Sequence, residues 1–148
     1  MRLWHKYLVW VLPRQQLIGQ WRECCCIAKN IAQNGTPNHL LVNKIMEYPI
    51  SEFCDYCNII LSKMLEGGYN VSEKSIHCLE DNVDFCVDGD LNMGVFKGWH
   101  NDRYLTQCFY NLQEKYDCGG IPEKEWETLK SRYVDLVCSA WAESYMRG

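Results

Sequence analysis

The sequence predicts an all-α fold: a compact, irregular helical single domain of about four main helices with an irregular N-terminal segment. Three observations carry this. Apolar residues recur at three- and four-residue steps through several long windows. Strong stop signals separate those windows: Asn34-Gly35-Thr36-Pro37, Gly67-Gly68 and Gly119-Gly120. No stretch shows the sustained alternation of a half-buried strand. The 148 residues are 47% apolar and 23% charged, the composition of a globular chain rather than a disordered one. A chain this long buries roughly 70% of its unfolded surface, so residues 1–148 are read as one domain.

Leu3 to Leu12 is aromatic and apolar, with Lys6 inside it, and reads as extended or irregular. Pro13 then suits the first turn of a helix that runs to about Ala32. Its apolar face is Leu17, Trp21, Cys24, Ala28 and Ile31. A shorter apolar segment spans His39 to Met46. Pro49 and Ser51 open a second helix, with Phe53, Cys57, Ile60, Leu61, Met64 and Leu65 as its buried stripe. Residues 69–98 are crowded with acid and read as a long connection holding at most one short helix. Asn101 or Asp102 caps a third helix bearing Tyr104, Leu105, Cys108, Phe109, Leu112 and Tyr116. Pro122 opens the last, over about residues 122–146. Its apolar positions are Trp126, Leu129, Tyr133, Leu136, Val137, Ala140, Trp141 and Tyr145.

No apolar run approaches the ~20 residues needed to cross a bilayer. Tyr7 to Leu12 lacks the length and cleavage site of a secretory signal. The expected location is the cytoplasm, without membrane association. There the ten cysteines are read as reduced thiols acting as small apolar residues, not as a disulfide framework. Cys54-Asp-Tyr-Cys57 is a C-x-x-C without the second pair or histidines that a structural zinc needs. Asp84-x-x-x-Asp88-Gly-Asp90 lacks the ligand order of a calcium loop. No metal and no cofactor are expected. His5, His39, His77 and His100 form no recognisable triad.

The formal net charge of −4 disfavours nucleic acid, but its distribution does not. Residues 1–44 hold six Lys/Arg against Glu23 alone, a local +5. The other 104 residues hold nine Lys/Arg and eighteen Asp/Glu, −9. A basic third on an acidic body either makes a local anion-binding face or is chance clustering. The first helix has two odd features on its polar side. Gly19 costs ~1 kcal/mol against alanine in a helix interior and leaves backbone bare. Arg22-Glu23 sets a cation beside a carboxylate on a face otherwise short of acid.

The residues Met1-Arg2-Leu3-Trp4-His5, Leu12-Pro13-Arg14-Gln15, Leu17 and Gly19-Gln20-Trp21-Arg22-Glu23-Cys24 resemble the pyrimidine-dimer DNA glycosylase (endonuclease V) family. His39 with its apolar followers, Glu66-Gly-Gly-Tyr-Asn-Val71 and His100-Asn-Asp-x-Tyr104 extend the resemblance in pieces to about residue 116. It is specific over the first 25 residues and looser beyond. The last helix is an addition. The Cys24-Cys25-Cys26 run stands where the family carries a basic residue.

That resemblance implies a small helical DNA repair enzyme acting on damaged double-stranded DNA as a monomer. It implies a glycosylase with AP-lyase activity, whose nucleophile is the α-amine of the first residue. The roles fall on Met1 as nucleophile, Glu23 as the essential carboxylate, and Arg2, Gln15 and Arg22 as DNA contacts. Arg2 is too large for the usual removal of an initiator methionine, so Met1 is expected to remain. α-Amines as a class titrate far below lysine, which suits a nucleophile. Trp4, Trp10 and Trp21 are candidates for a wedge or stacking platform, against the commoner use of tryptophan in a core. Two other readings stay open: a non-catalytic nucleic-acid- or protein-binding module on this scaffold, and a thiol-rich metal-binding protein.

Overall fold

A computed structural model describes residues 1–147, with side chains described through 141 and at Glu143. Among these residues the regular structure is entirely helical. The elements are α1 (Arg14–Asn34), α2 (Ile50–Glu66), α3 (Glu73–Val83), α4 (Asp102–Asp117) and α5 (Glu123–Arg147), with 3₁₀ turns at Lys6–Val11 and Asn43–Glu47. The all-α expectation holds. None of the helices is long and apolar enough to cross a membrane.

α1 is the spine. It packs along α3 and across α2, burying Leu17, Trp21, Cys24, Ile27 and Ala28. It stops where Gly35 adopts φ +74° and returns its N–H to the Ile31 carbonyl at 2.8 Å. Its N-terminus has no local side-chain cap. Glu125 of α5 supplies one, accepting from the Arg14 N–H at 3.0 Å. The added C-terminal helix is thereby tied to the start of the spine.

Two aromatic assemblies complete the core. Between α4 and α5, Phe109 stacks on Tyr133 at 3.8 Å and on Trp126 at 5.3 Å, and Tyr116 stacks on Trp126 at 4.7 Å. Under the N-terminal segment, His5, Phe96, Trp99, His100 and Tyr104 pack ring against ring. Lys6 is buried there and donates to the Val95 carbonyl at 2.7 Å.

The one short helix allowed within residues 69–98 is α3; Ser72 accepts from the Ser75 N–H at its start. The apolar His39–Met46 segment is only partly buried. Val42 and Ile45 are buried, but Leu40, Leu41 and Met46 lie on the surface. The apolar stripe of α5 is buried only at its beginning: Trp126 and Leu129 are core, while Val137 and Trp141 are exposed. The Tyr145 side chain is outside the described ones. The cysteines are free thiols. Cys24, Cys57 and Cys108 are buried as apolar residues, as expected.

Candidate functional site

Residues 1–5 cross α1 without forming a helix, so their peptide groups need partners from elsewhere. Gln20 provides two of them. It is 1% exposed, and both its amide hydrogens and its oxygen are engaged. Its Oε1 accepts from the Trp4 N–H at 2.7 Å and lies 3.0 Å from the Tyr56 hydroxyl. Its Nε2 donates to the Arg2 carbonyl at 3.0 Å and to Glu23 Oε2 at 3.3 Å. Tyr56 sits 2.6 Å from the Trp4 carbonyl, and Tyr104 donates to the Leu3 carbonyl at 2.6 Å. Three consecutive residues are thus pinned by side chains from α1, α2 and α4. Met1 is one residue beyond this anchor.

The anchor carries Met1 to Glu23. Both line one cleft of about 270 Å3, with Arg2, Trp4, Leu41, Asn111 and Lys115. Glu23 is half-buried and oriented by Gln20, one helical turn before it. The Arg2 guanidinium lies 5.7 Å from the Trp4 ring and 5.9 Å from the Tyr104 ring, a cation–π seat that holds it at the cleft mouth.

A second space of about 420 Å3 adjoins the cleft and shares Arg2, Leu41 and Asn111 with it. Lys44, Trp99, Arg103 and Gln107 are among its walls. Together they make a groove with Arg2, Lys44, Arg103 and Lys115 along it. Glu23 is its one lining carboxylate among the described residues. Lys44 lies 4.0 Å from Glu47. The ion pairs formed among the described residues take none of Arg2, Arg103 and Lys115. A cationic groove on a chain of net charge −4 is the composition that holds a phosphate backbone.

Of the residues singled out in the sequence, the structure brings Met1, Arg2 and Glu23 together. Arg22 and Gln15 are elsewhere. Arg22 lines a separate cleft of about 600 Å3 between α1 and α3, with Lys29, Lys74 and His77. The reason is helical geometry: successive residues diverge by about 100°, so Arg22 and Glu23 cannot share a wall. Gln15 is exposed in the first turn of α1, seven residues before Arg22 and on the same stripe. Trp4 and Trp21 are 8% and 6% exposed, and the Trp21 indole donates to Ser75 Oγ at 2.9 Å. They are core residues, not wedges.

Sequence reasoning passed over Gln20 as a clamp, and over Arg103, Gln107, Asn111 and Lys115. The α4 residues recur every four positions, opposite the buried Leu105, Phe109 and Leu112. That polar stripe was a usable signal. Elsewhere Cys24, Cys57 and Cys108 are buried, Cys25, Cys54, Cys78 and Cys86 contact backbone carbonyls, and Cys26, Cys118 and Cys138 are exposed. Cys54 contacts the Val83 carbonyl at 3.3 Å, and burial pushes its thiol up to about 11. No group of three or more His, Cys, Asp or Glu among the described residues could hold a metal ion.

Two histidines support the anchor from below. His5 Nδ1 accepts from the Tyr7 N–H, and His100 Nδ1 accepts from the Lys6 N–H, each at 3.1 Å. Burial lowers His5 to about 4 and His100 to about 2. Both rings are therefore neutral and structural at physiological pH.

Comparison with known proteins agrees with the groove. Neither the curated proteins nor the solved structures contain a match. The family model described as "Pyrimidine dimer DNA glycosylase" matches residues 1–77, the part that supplies Gln20 and Tyr56 of the anchor, and Met1, Arg2, Glu23 and Leu41. It spans more than half of the 148 residues, and the chain belongs to the pyrimidine dimer DNA glycosylase family.

Proposed function

We propose that this protein is a DNA repair glycosylase with associated AP-lyase activity, excising damaged pyrimidines, ultraviolet dimers first among them, through a Schiff base on the Met1 α-amine. Family membership carries the coarser half of this reading, DNA repair by base removal. The observation that supports the finer half is the shared Met1–Glu23 cleft at the head of a cationic groove.

The neutral amine attacks the sugar carbon that holds the damaged base. The carbon–base bond breaks, and the base departs with the bonding electrons. Glu23 faces the positive charge that develops on the sugar. The attached amine gives up one proton to solvent; the bond from the ring oxygen to that carbon then breaks, the oxygen takes up a proton, and the opened sugar is left as a protonated imine. Glu23 then removes a proton from the adjacent sugar carbon, and the 3′ phosphate leaves by elimination. The groove cations hold the flanking phosphates, with Arg2 nearest the reaction. Gln15 and Arg22 are the proposed contacts on the outer face of α1, where a duplex seated in the groove continues. The amine and carboxylate belong to the chain itself, so the proposed reaction uses no cofactor, and one copy of the chain holds both.

Borohydride trapping tests this. Reduction should fix a protein–DNA adduct when untagged protein meets ultraviolet-treated or abasic duplex. An uncleaved N-terminal tag should abolish both the adduct and strand cutting while leaving the helical spectrum unchanged. Equal adduct from tagged and untagged protein would remove the α-amine from the mechanism. DNA binding without any adduct would leave a non-catalytic binding module.

A further inference from the structure

We infer that Leu40 is the wedge that enters the base stack at the lesion, with Leu41 closing the groove beneath it; this rests on the DNA-repair reading of the groove. Leu40 is 88% exposed and Leu41 is 50% exposed. Scattered surface leucines need no explanation. This pair differs in three ways. First, it stands on a turn that is held rigid. The His39 N–H donates to Asn43 Oδ1 at 2.9 Å, and the Val42 and Asn43 N–H groups return to the His39 carbonyl at 3.0 and 2.9 Å. Val42, immediately after the pair, is fully buried and roots the turn in the core. A leucine on such a turn inserts without first being ordered, which removes much of the entropic cost of a flexible loop.

Second, the pair lies on the reacting groove. Leu41 lines both its parts, the Met1–Glu23 cleft included, and Leu40 lines the wider part beside Arg2, Lys44 and Arg103. Third, the turn is electrostatically suited to approach a duplex: residues 24–46 contain no Asp or Glu. Cations that hold phosphates on either side of an apolar tip are the arrangement by which side chains such as leucine unstack and kink a duplex. The chemistry requires such a device, because the sugar carbon under attack is shielded while its base remains stacked. Of the tryptophans that might have served, Trp4 and Trp21 are buried and Trp10 is packed half-buried against the core.

The test uses a short duplex containing an uncleavable abasic analogue opposite 2-aminopurine, whose fluorescence rises on unstacking. Wild-type protein should bind and raise the fluorescence several-fold. Leu40→Ala should bind with a Kd within about threefold of wild type, since the phosphate contacts remain, and lose most of the rise. Leu40→Phe should restore it. The surface position makes both variants compatible with the fold. An undiminished rise with Leu40→Ala, or wild-type binding without any rise, overturns the wedge. Borohydride trapping on a natural abasic duplex is read in parallel. A fluorescence rise without an adduct defeats the Schiff-base reading and leaves the wedge standing; an adduct without a rise does the reverse.

Discussion

Gln20 and Glu23 lie one turn apart on α1, joined by a 3.3 Å hydrogen bond from the Gln20 amide to the Glu23 carboxylate. The same amide holds the Arg2 carbonyl, and its oxygen holds the Trp4 N–H. One buried side chain therefore sets both the path of the N-terminus and the orientation of the carboxylate that faces it.

Gln20→Met tests that linkage. Methionine matches the length and helix propensity but satisfies none of the four partners. A buried polar group left unsatisfied costs about 1–3 kcal/mol, so a loss of about 2–4 kcal/mol is expected in urea denaturation. Adduct formation should fall further than stability explains, because Met1 is no longer held at Glu23. Near-wild-type trapping in the folded mutant would mean that the clamp is structural alone.

Salt dependence of binding checks the groove. Lys115→Ala and Arg103→Ala should each flatten the log–log slope by ~0.9, one released counterion per phosphate contact. Arg22→Ala, on the outer face of α1, should do the same if the duplex runs on past the groove as proposed. A flattened slope for Lys115 with an unchanged slope for Arg22 would confine the footprint to the groove.

Acid should loosen the floor of the site. His5 is lowered to about 4 and His100 to about 2, both by burial, with Lys6 adding repulsion to each and His5 adding it to His100. In the unfolded chain imidazoles bind protons below about pH 6.5. Between pH 6.5 and 4 the unfolded state therefore holds more protons, so stability rises with pH across that window and falls as pH is lowered through it. At pH 5 the loss is about 2 kcal/mol per ring. Thermal melts should show a marked fall in Tm from pH 7 to pH 5. His100→Asn, which keeps an acceptor for the Lys6 N–H, should flatten the fall. A Tm that does not change over this range would mean that the rings are not buried neutral.

The helices were legible because their boundaries are local chemistry. Gly35 ends α1 in the left-handed region and Asn101 caps α4 by accepting from the Tyr104 N–H at 2.9 Å. α3 was legible only as a short helix without bounds, because its surroundings are acidic and its buried residues are few, Leu79 and Val83. The His39–Met46 segment was legible as apolar, but hydrophobicity alone does not say that Leu40 and Leu41 face water. Met1, Arg2 and Glu23 were found through resemblance in the first 25 residues. Gln20 was in the same string, but its role depends on which backbone groups of residues 2–4 lack partners, and no local pattern states that. The α4 cations were missed for another reason. The net −9 of residues 45–148 hides them, whereas the groove draws one wall from the N-terminal third and the other from α4.

Glu23→Gln separates an enzyme from a binding module. Glutamine keeps the size of glutamate, and its carbonyl oxygen can still accept from the Gln20 amide, so the anchor and the fold should survive. What is lost is negative charge opposite a developing cationic sugar. Groups of that kind are commonly worth ~10²–10³ in rate, and loss of the proton acceptor for elimination adds to it. The variant should bind damaged duplex as well as wild type, or slightly better, because a carboxylate no longer faces phosphate in the groove. Base release should nearly vanish, and with it the borohydride adduct on a base-containing lesion. On a pre-formed abasic site the adduct should persist in part, because the Met1 amine is intact and that substrate needs no base to leave. Equal loss on both substrates would move Glu23 from the base-release step to imine formation. Undiminished base release would remove the carboxylate from the mechanism and return the cleft to a binding role.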